Sequence, residues 1–138
     1  MGDMQRTVMV VDDQVFIRKM IIEFLLISGY KPFEASDSTE ALNLAARERL
    51  DIALVDVNIP EIDGFALFRR LKKIRPDLTA IFMSGSSDIQ SIKKASEEGA
   101  VDFLIKPFDI FELLGILNNV NTSTMASRGE IKWKQILQ

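Results

Sequence analysis

Short apolar runs alternate with amphipathic stretches along nearly the whole chain, and this switching of period restricts the fold more than any other feature. A strand alternates faces every second residue while a helix repeats about every 3.6, so a chain that keeps switching must stack two kinds of layer. Strands are predicted over 7–11, 30–35, 52–55, 80–83 and 101–105, and helices over 14–28, 37–49, 65–74, 89–98 and 110–119. Gly29 and Gly99 stop the first and fourth helices, because glycine accepts the left-handed conformation that closes a helix. Asp37-Ser38-Thr39-Glu40 reads as a capping box, Arg75-Pro76 ends the third helix, and Pro32, lacking an N–H, sends the second strand to a sheet edge. Leu67, Leu71 and Ile74 form the expected inward stripe of the third helix, and Ile110, Leu113, Leu114 and Leu117 that of the last. The unbroken apolar run 52–55 is what a strand covered on both faces requires. Five strands alternating with five helices imply right-handed crossovers and parallel pairing, hence a doubly wound α/β domain.

Ligands of such sheets gather at the carboxyl ends of the strands. Asp12 and Asp13 follow the first strand, Asp56 ends the third, Ser84 the fourth and Lys106 the fifth. With no histidine and no cysteine in the chain, disulfides, thiolate metal sites and every scheme that needs an imidazole or thiolate are excluded. What remains is carboxylate, ammonium, hydroxyl and backbone chemistry. Three gathered carboxylates repel one another unless a cation joins them, and an all-oxygen donor set suits Mg²⁺. Lys106 offers a point positive charge and Ser84 a hydroxyl donor, enough for phosphoryl transfer, which depends mostly on positioning and charge. Asp56, at the tip of a central strand with a loop of its own, is the nucleophile of choice, and its product would be an aspartyl phosphate. Each residue alone has a plainer explanation: a helix N-cap for Asp12 or Asp13, a turn for Ser84 with Gly85-Ser86-Ser87, a strand exit for Lys106-Pro107. Their shared rim is what argues for chemistry.

Four blocks, in this order and spacing, carry a family likeness: Val10-Val11-Asp12-Asp13; Leu54-Val55-Asp56-Val57-Asn58-Ile59-Pro60 with Asp63-Gly64; Met83-Ser84-Gly85; and Gly99-Ala100-Val101-Asp102-Phe103-Leu104-Ile105-Lys106-Pro107-Phe108. Over about residues 6–120 the chain resembles the receiver domains of two-component response regulators. The resemblance implies a flavodoxin-like, receiver-type fold and a cytoplasmic phosphorelay switch, not an enzyme beyond its own phosphorylation and slow autodephosphorylation. It implies that Asp56 takes a phosphoryl group from a histidine kinase or phosphotransfer protein in a Mg²⁺-dependent reaction. Asp13 and Asp56 would ligate the Mg²⁺ directly with the Asn58 backbone carbonyl, Asp12 acting largely through water. Lys106 would pair with the phosphoryl group, Ser84 would move toward it, and Phe103 would swing into the space vacated. Phe103 lacks the hydroxyl of the tyrosine often found there, and its plainer role is core packing. Asn58 and Ser86, small and polar beside the path of a hydrolytic water, imply a phosphorylated form that decays in minutes rather than days.

The first helix is apolar on more than one face, and in receivers its beginning meets the kinase's phosphotransfer bundle, which makes Gln14, Phe16 and Ile17 docking candidates. Arg69, Arg70, Lys72, Lys73 and Arg75 read as a solvated helix face. Residues 1–120 carry 14 basic and 19 acidic side chains, whereas 121–138 carry 3 and 1; so acidic a body argues against direct nucleic-acid binding. No apolar stretch is long enough to span a bilayer. Residues 121–138 read as a linker or tail, with a flexible tail, a helix folded back and the stub of an output domain all open. A homodimer is possible on these grounds, and the downstream protein target is unknown. Two other functions compete. A Mg²⁺-dependent phosphohydrolase of dehalogenase type wants a second Asp where this chain has Asn58. An unphosphorylated pseudo-receiver used for dimerisation would not need the intact set Asp12, Asp13, Asp56, Ser84 and Lys106.

Overall fold

The structure, a computed structural model, describes residues 5–85 and 89–120. Its elements run β1 (Thr7–Val11), α1 (Val15–Ile27), β2 (Lys31–Ala35), α2 (Ser38–Arg47), β3 (Ile52–Asp56), α3 (Gly64–Ile74), β4 (Thr79–Ser84), α4 (Ile89–Glu97), β5 (Asp102–Ile105) and α5 (Ile110–Val120). All strands pair in parallel in one sheet of order β2-β1-β3-β4-β5. β2 lies at an edge, where Pro32 has no central ladder to interrupt. Strand order reverses between β1 and β3, and there Val11 pairs with Val55, so the residues that follow them open side by side at one rim.

Alternation along the strands divides the core in two. Met9, Val11, Ala53, Val55 and Phe82 face α2, α3 and α4, while Val8, Val10, Ile52, Leu54 and Ile81 face α1 and α5. Every residue of β3 is buried, as its continuous apolar run requires. Phe82 receives Phe65 and Phe68 edge-on, with centroids 4.7 and 5.7 Å away, an arrangement that adds to burial through the ring quadrupoles.

Several elements differ from expectation at their ends and faces. The buried face of α3 centres on Gly64, Leu67, Phe68 and Leu71, which leaves Ile74 on its border and 39% exposed. In α5 the inward residues are Leu113, Ile116, Leu117 and Val120; Ile110 falls at the border, 42% exposed, and Leu114 is half-buried. α2 ends at Arg47 rather than 49, because Glu48 is already extended and Leu50 must turn inward. Its capping box is half made. Asp37 accepts the Glu40 N–H at 2.9 Å, but the Glu40 carboxylate bonds the N–H and hydroxyl of Ser36, one residue earlier than the motif specifies. The reciprocal form occurs instead at α5, between Asp109 and Glu112. Gly29 and Gly99 take φ of +90° and +88°, as their stop signals require. Among the described residues no helix is long and apolar enough to cross a membrane.

Candidate functional site

The ends of β1, β3 and β5 bring Asp13, Asp56 and Lys106 to a cleft of about 570 Å³, lined also by Gln14, Ile17, Asn58 and Gly85, while Asp12, just past β1, and Ser84, at the tip of β4, are buried at the same edge of the sheet. One oxygen of each of Asp12, Asp13 and Asp56 lies within 4.8 Å of the other two. Asp12 and Asp56 are buried, whereas Asp13 faces solvent. Lys106 reaches across from β5, its Nζ donating to Asp12 Oδ2 and Asp56 Oδ2 at 2.7 Å each and to Gln14 Oε1 at 3.0 Å. Asp12 Oδ1 accepts the Gln14 N–H, and Asp56 Oδ1 accepts the Asn58 N–H at 2.8 Å. Ser84 is buried at the tip of β4, where its carbonyl accepts the Lys106 N–H at 2.7 Å. Phe103 points inward, 7% exposed, into the core beneath α3 and α4.

Burial pushes the Asp56 carboxyl above its ordinary range and the Asp12 charge adds to the rise, while Lys106 and the Asn58 N–H hold it back. Burial would lower the Lys106 ammonium, but its hydrogen bonds to Asp12 and Asp56 outweigh that, so it sits above its ordinary value. Three carboxylates thus face one ammonium, and a divalent cation would neutralise the remainder. Both Asp12 oxygens are engaged by protein donors, whereas the Asp13 carboxylate stands open to the cleft. Hard oxygen donors with this charge balance fit Mg²⁺.

A glycine brings α3 against this rim. A Cβ on Gly64 would run into the Asp56 carbonyl oxygen and come within 2.9 Å of Val57 Cα, so only glycine lets α3 start there. The loop between closes on itself, with Gly64 N–H bonded to Val57 O at 2.8 Å and Asn58 bridged to Asp63.

Sequence reasoning missed Arg18, which is buried on α1 and bonds both Glu34 and the Asp12 main-chain carbonyl. Helical spacing held the signal, because 18, 21 and 25 share the inward face with Ile21 and Leu25. The basic run of α3 is also less free than expected. Arg69 forks onto Glu98, just past α4, and Arg75 donates to the Ala45 carbonyl of α2. Of the docking candidates, Phe16 is 84% exposed, Gln14 is exposed and Ile17 is half-buried. Ser86 and residues 121–138 lie outside the described residues.

Residues 8–118 match the family described as the response regulator receiver domain. The chain is 34% identical over 110 residues to sporulation initiation phosphotransferase F of Bacillus subtilis, covering 80% of this chain and 89% of that protein. It is 38% identical over 111 residues to the DNA-binding transcriptional regulator NtrC of Rhizobium meliloti, covering 80% of this chain but only 23% of that protein. Among solved structures it superposes on a response regulator of Burkholderia pseudomallei that holds a phosphorylated aspartic acid, a calcium ion and citrate. The TM-score is 0.78 at 25% identity, over 95% of this chain and 73% of that one.

Proposed function

The chain belongs to the receiver-domain family of two-component response regulators, a family of signalling switches phosphorylated on aspartate, and from that footing we propose that Asp56 is its phosphoacceptor. The donor is a phosphohistidine on a kinase or phosphotransfer protein. An Asp56 carboxylate oxygen attacks the phosphorus in line; a P–O bond forms as the P–N bond breaks, and the departing imidazole keeps the electron pair. The observation that carries this proposal is the Lys106 ammonium held at 2.7 Å from both Asp12 and Asp56, a fixed positive charge where phosphoryl oxygens would arrive. Asp13, Asp56 and the Asn58 carbonyl would hold a Mg²⁺ ion, with Asp12 acting through water, and the ion would supply further positive charge against those oxygens. That the Burkholderia relative was solved with a phosphorylated aspartic acid and a calcium ion supports that assignment.

Ser84 and Phe103 are the proposed output. The Phe103 ring is already inward, 7% exposed, rather than waiting to swing in, so a Ser84 hydroxyl drawn toward the new phosphoryl group would let it settle further rather than turn. The start of α1, with Gln14 and Ile17 at the cleft and Phe16 exposed beside it, is where the phosphotransfer partner docks. Incubation with Mg²⁺ and acetyl phosphate should yield a single acid-stable, base-labile phosphoryl adduct by intact mass. Asp56→Asn should yield none. An adduct in both proteins, or in neither, would reject Asp56 as acceptor. The adduct should then decay within minutes, since no bulky side chain at Asn58 shields the cleft; survival for many hours in Mg²⁺ would reject that lifetime.

A further inference from the structure

Arg18 is buried, 8% exposed, although α1 is otherwise anchored by apolar side chains. Its Nε donates to Glu34 Oε1 at 2.8 Å and its Nη1 to the Asp12 main-chain oxygen at 2.7 Å. Glu34, on the edge strand β2, is fixed in turn by Lys19 at 2.8 Å through its other oxygen. That carboxyl is held below its usual range by hydrogen bonds from Lys19 and Arg18, so it stays charged against the guanidinium.

The Asp12 carbonyl belongs to the peptide plane that joins Asp12 to Asp13. Asp12 is therefore gripped at every polar atom: its N–H by Ala35 O, its carboxylate by Gln14 N–H and Lys106, and its carbonyl by Arg18. Nothing described grips the Asp13 side chain in that way, and Asp13 is exposed. Its direction follows from the plane that precedes it. Mg²⁺ demands near-ideal octahedral geometry, and a plane free to rotate would swing Asp13 out of the carboxylate cluster. Groups that orient ligands without touching the metal typically matter by about 10–100-fold in affinity.

We infer that the Arg18–Glu34 pair is a positioning device, orienting the Asp12–Asp13 peptide so that Asp13 binds a divalent cation. The inference rests on the cation site proposed above. Arg18→Lys keeps the charge but replaces the planar fork, whose Nε and Nη1 hold Glu34 and the carbonyl in a fixed relation, with a single rotating ammonium. Glu34→Gln keeps the shape and an acceptor oxygen while removing the charge that orients the guanidinium.

Mg²⁺ titrations by calorimetry on the full chain, below each variant's unfolding midpoint, test it. Leu117→Ala, a cavity in the α5 side of the core, is the control for lost stability alone. Both site variants should bind Mg²⁺ about 10–100-fold more weakly, and Leu117→Ala as wild type does. With acetyl phosphate, the half-saturating Mg²⁺ concentration should rise in both while the rate at saturating Mg²⁺ recovers, a split that lost stability alone would not produce. Wild-type binding with affinity kept within about twofold in both site variants would overturn the inference, since the expected loss is at least tenfold. An equal loss in Leu117→Ala would overturn it too. Absence of Mg²⁺ binding by wild type itself would overturn the underlying cation site, and this inference with it.

Discussion

Asp56 is held by opposing forces, and its chemistry and its cost to the fold have the same origin. Burial beside Asp12 raises its carboxyl, and Lys106 only partly compensates. A carboxyl whose folded value is raised favours the native state below its unfolded value, and that contribution is lost as pH climbs through the folded one. Above its unfolded value Asp56 therefore weighs against folding. Asp56→Asn should melt higher than wild type at pH 7 without Mg²⁺, because it removes the cost of burying a carboxylate and its repulsion by Asp12. The gain should shrink as pH falls through the raised folded value and be gone below the ordinary carboxylate range. Thermal melts across that range check it, and a variant less stable than wild type at pH 7 would contradict it. Lys106 is not stranded by the change, because Asp12 and Gln14 still accept from it. At this scale the placement of Asp12, Asp13, Asp56, Ser84 and Lys106 was readable, since each ends or directly follows a strand of one sheet. Arg18 was not, because a basic residue in an amphipathic helix ordinarily reads as solvated, and only packing turned it inward.

Elements were read best where a backbone signal is local. The stops at Gly29 and Gly99 and the edge position of Pro32 each follow from a single residue's allowed geometry. Faces were read less well, as Ile74 and Ile110 illustrate, because helical spacing gives a stripe but not the line along which a neighbour covers it. The start of α3 is a tertiary matter altogether. Asp63 caps it by accepting the Ala66 N–H at 2.8 Å, a local event, yet Gly64 is required by the Asp56 carbonyl that it nearly touches. Gly64→Ala should destabilise the domain by about 1–3 kcal/mol through overpacking. It should also slow adduct formation on Asp56, because relief comes by moving the strand end that carries it. Denaturant unfolding with acetyl phosphate kinetics tests both; a loss of stability with unchanged phosphorylation would mean that α3 alone had shifted.

For the whole molecule, the carboxylate cluster links metal to stability. A ligand that binds only the folded state stabilises by mass action, about 2.7 kcal/mol at a hundredfold excess over its dissociation constant. Mg²⁺ should therefore raise the melting temperature in a concentration-dependent way, and a chelator should reverse it. Asp13→Asn should abolish most of the rise while leaving the metal-free melt near wild type, since Asp13 is exposed and grips no neighbour among the described residues. A melting temperature indifferent to Mg²⁺ would argue that the cluster holds no cation.

The alternation of strand and helix, the parallel sheet, and the identity of the rim residues followed from the sequence alone, because period, turn chemistry and strand-end position are written in nearest neighbours. Tertiary structure alone decided which groups pair at that rim. Lys106 bridges Asp12 and Asp56 across 94 and 50 positions of chain, and Arg18 orients a carbonyl on the neighbouring strand end. Those contacts depend on how the sheet twists and how closely its helices approach, and no local pattern encodes either.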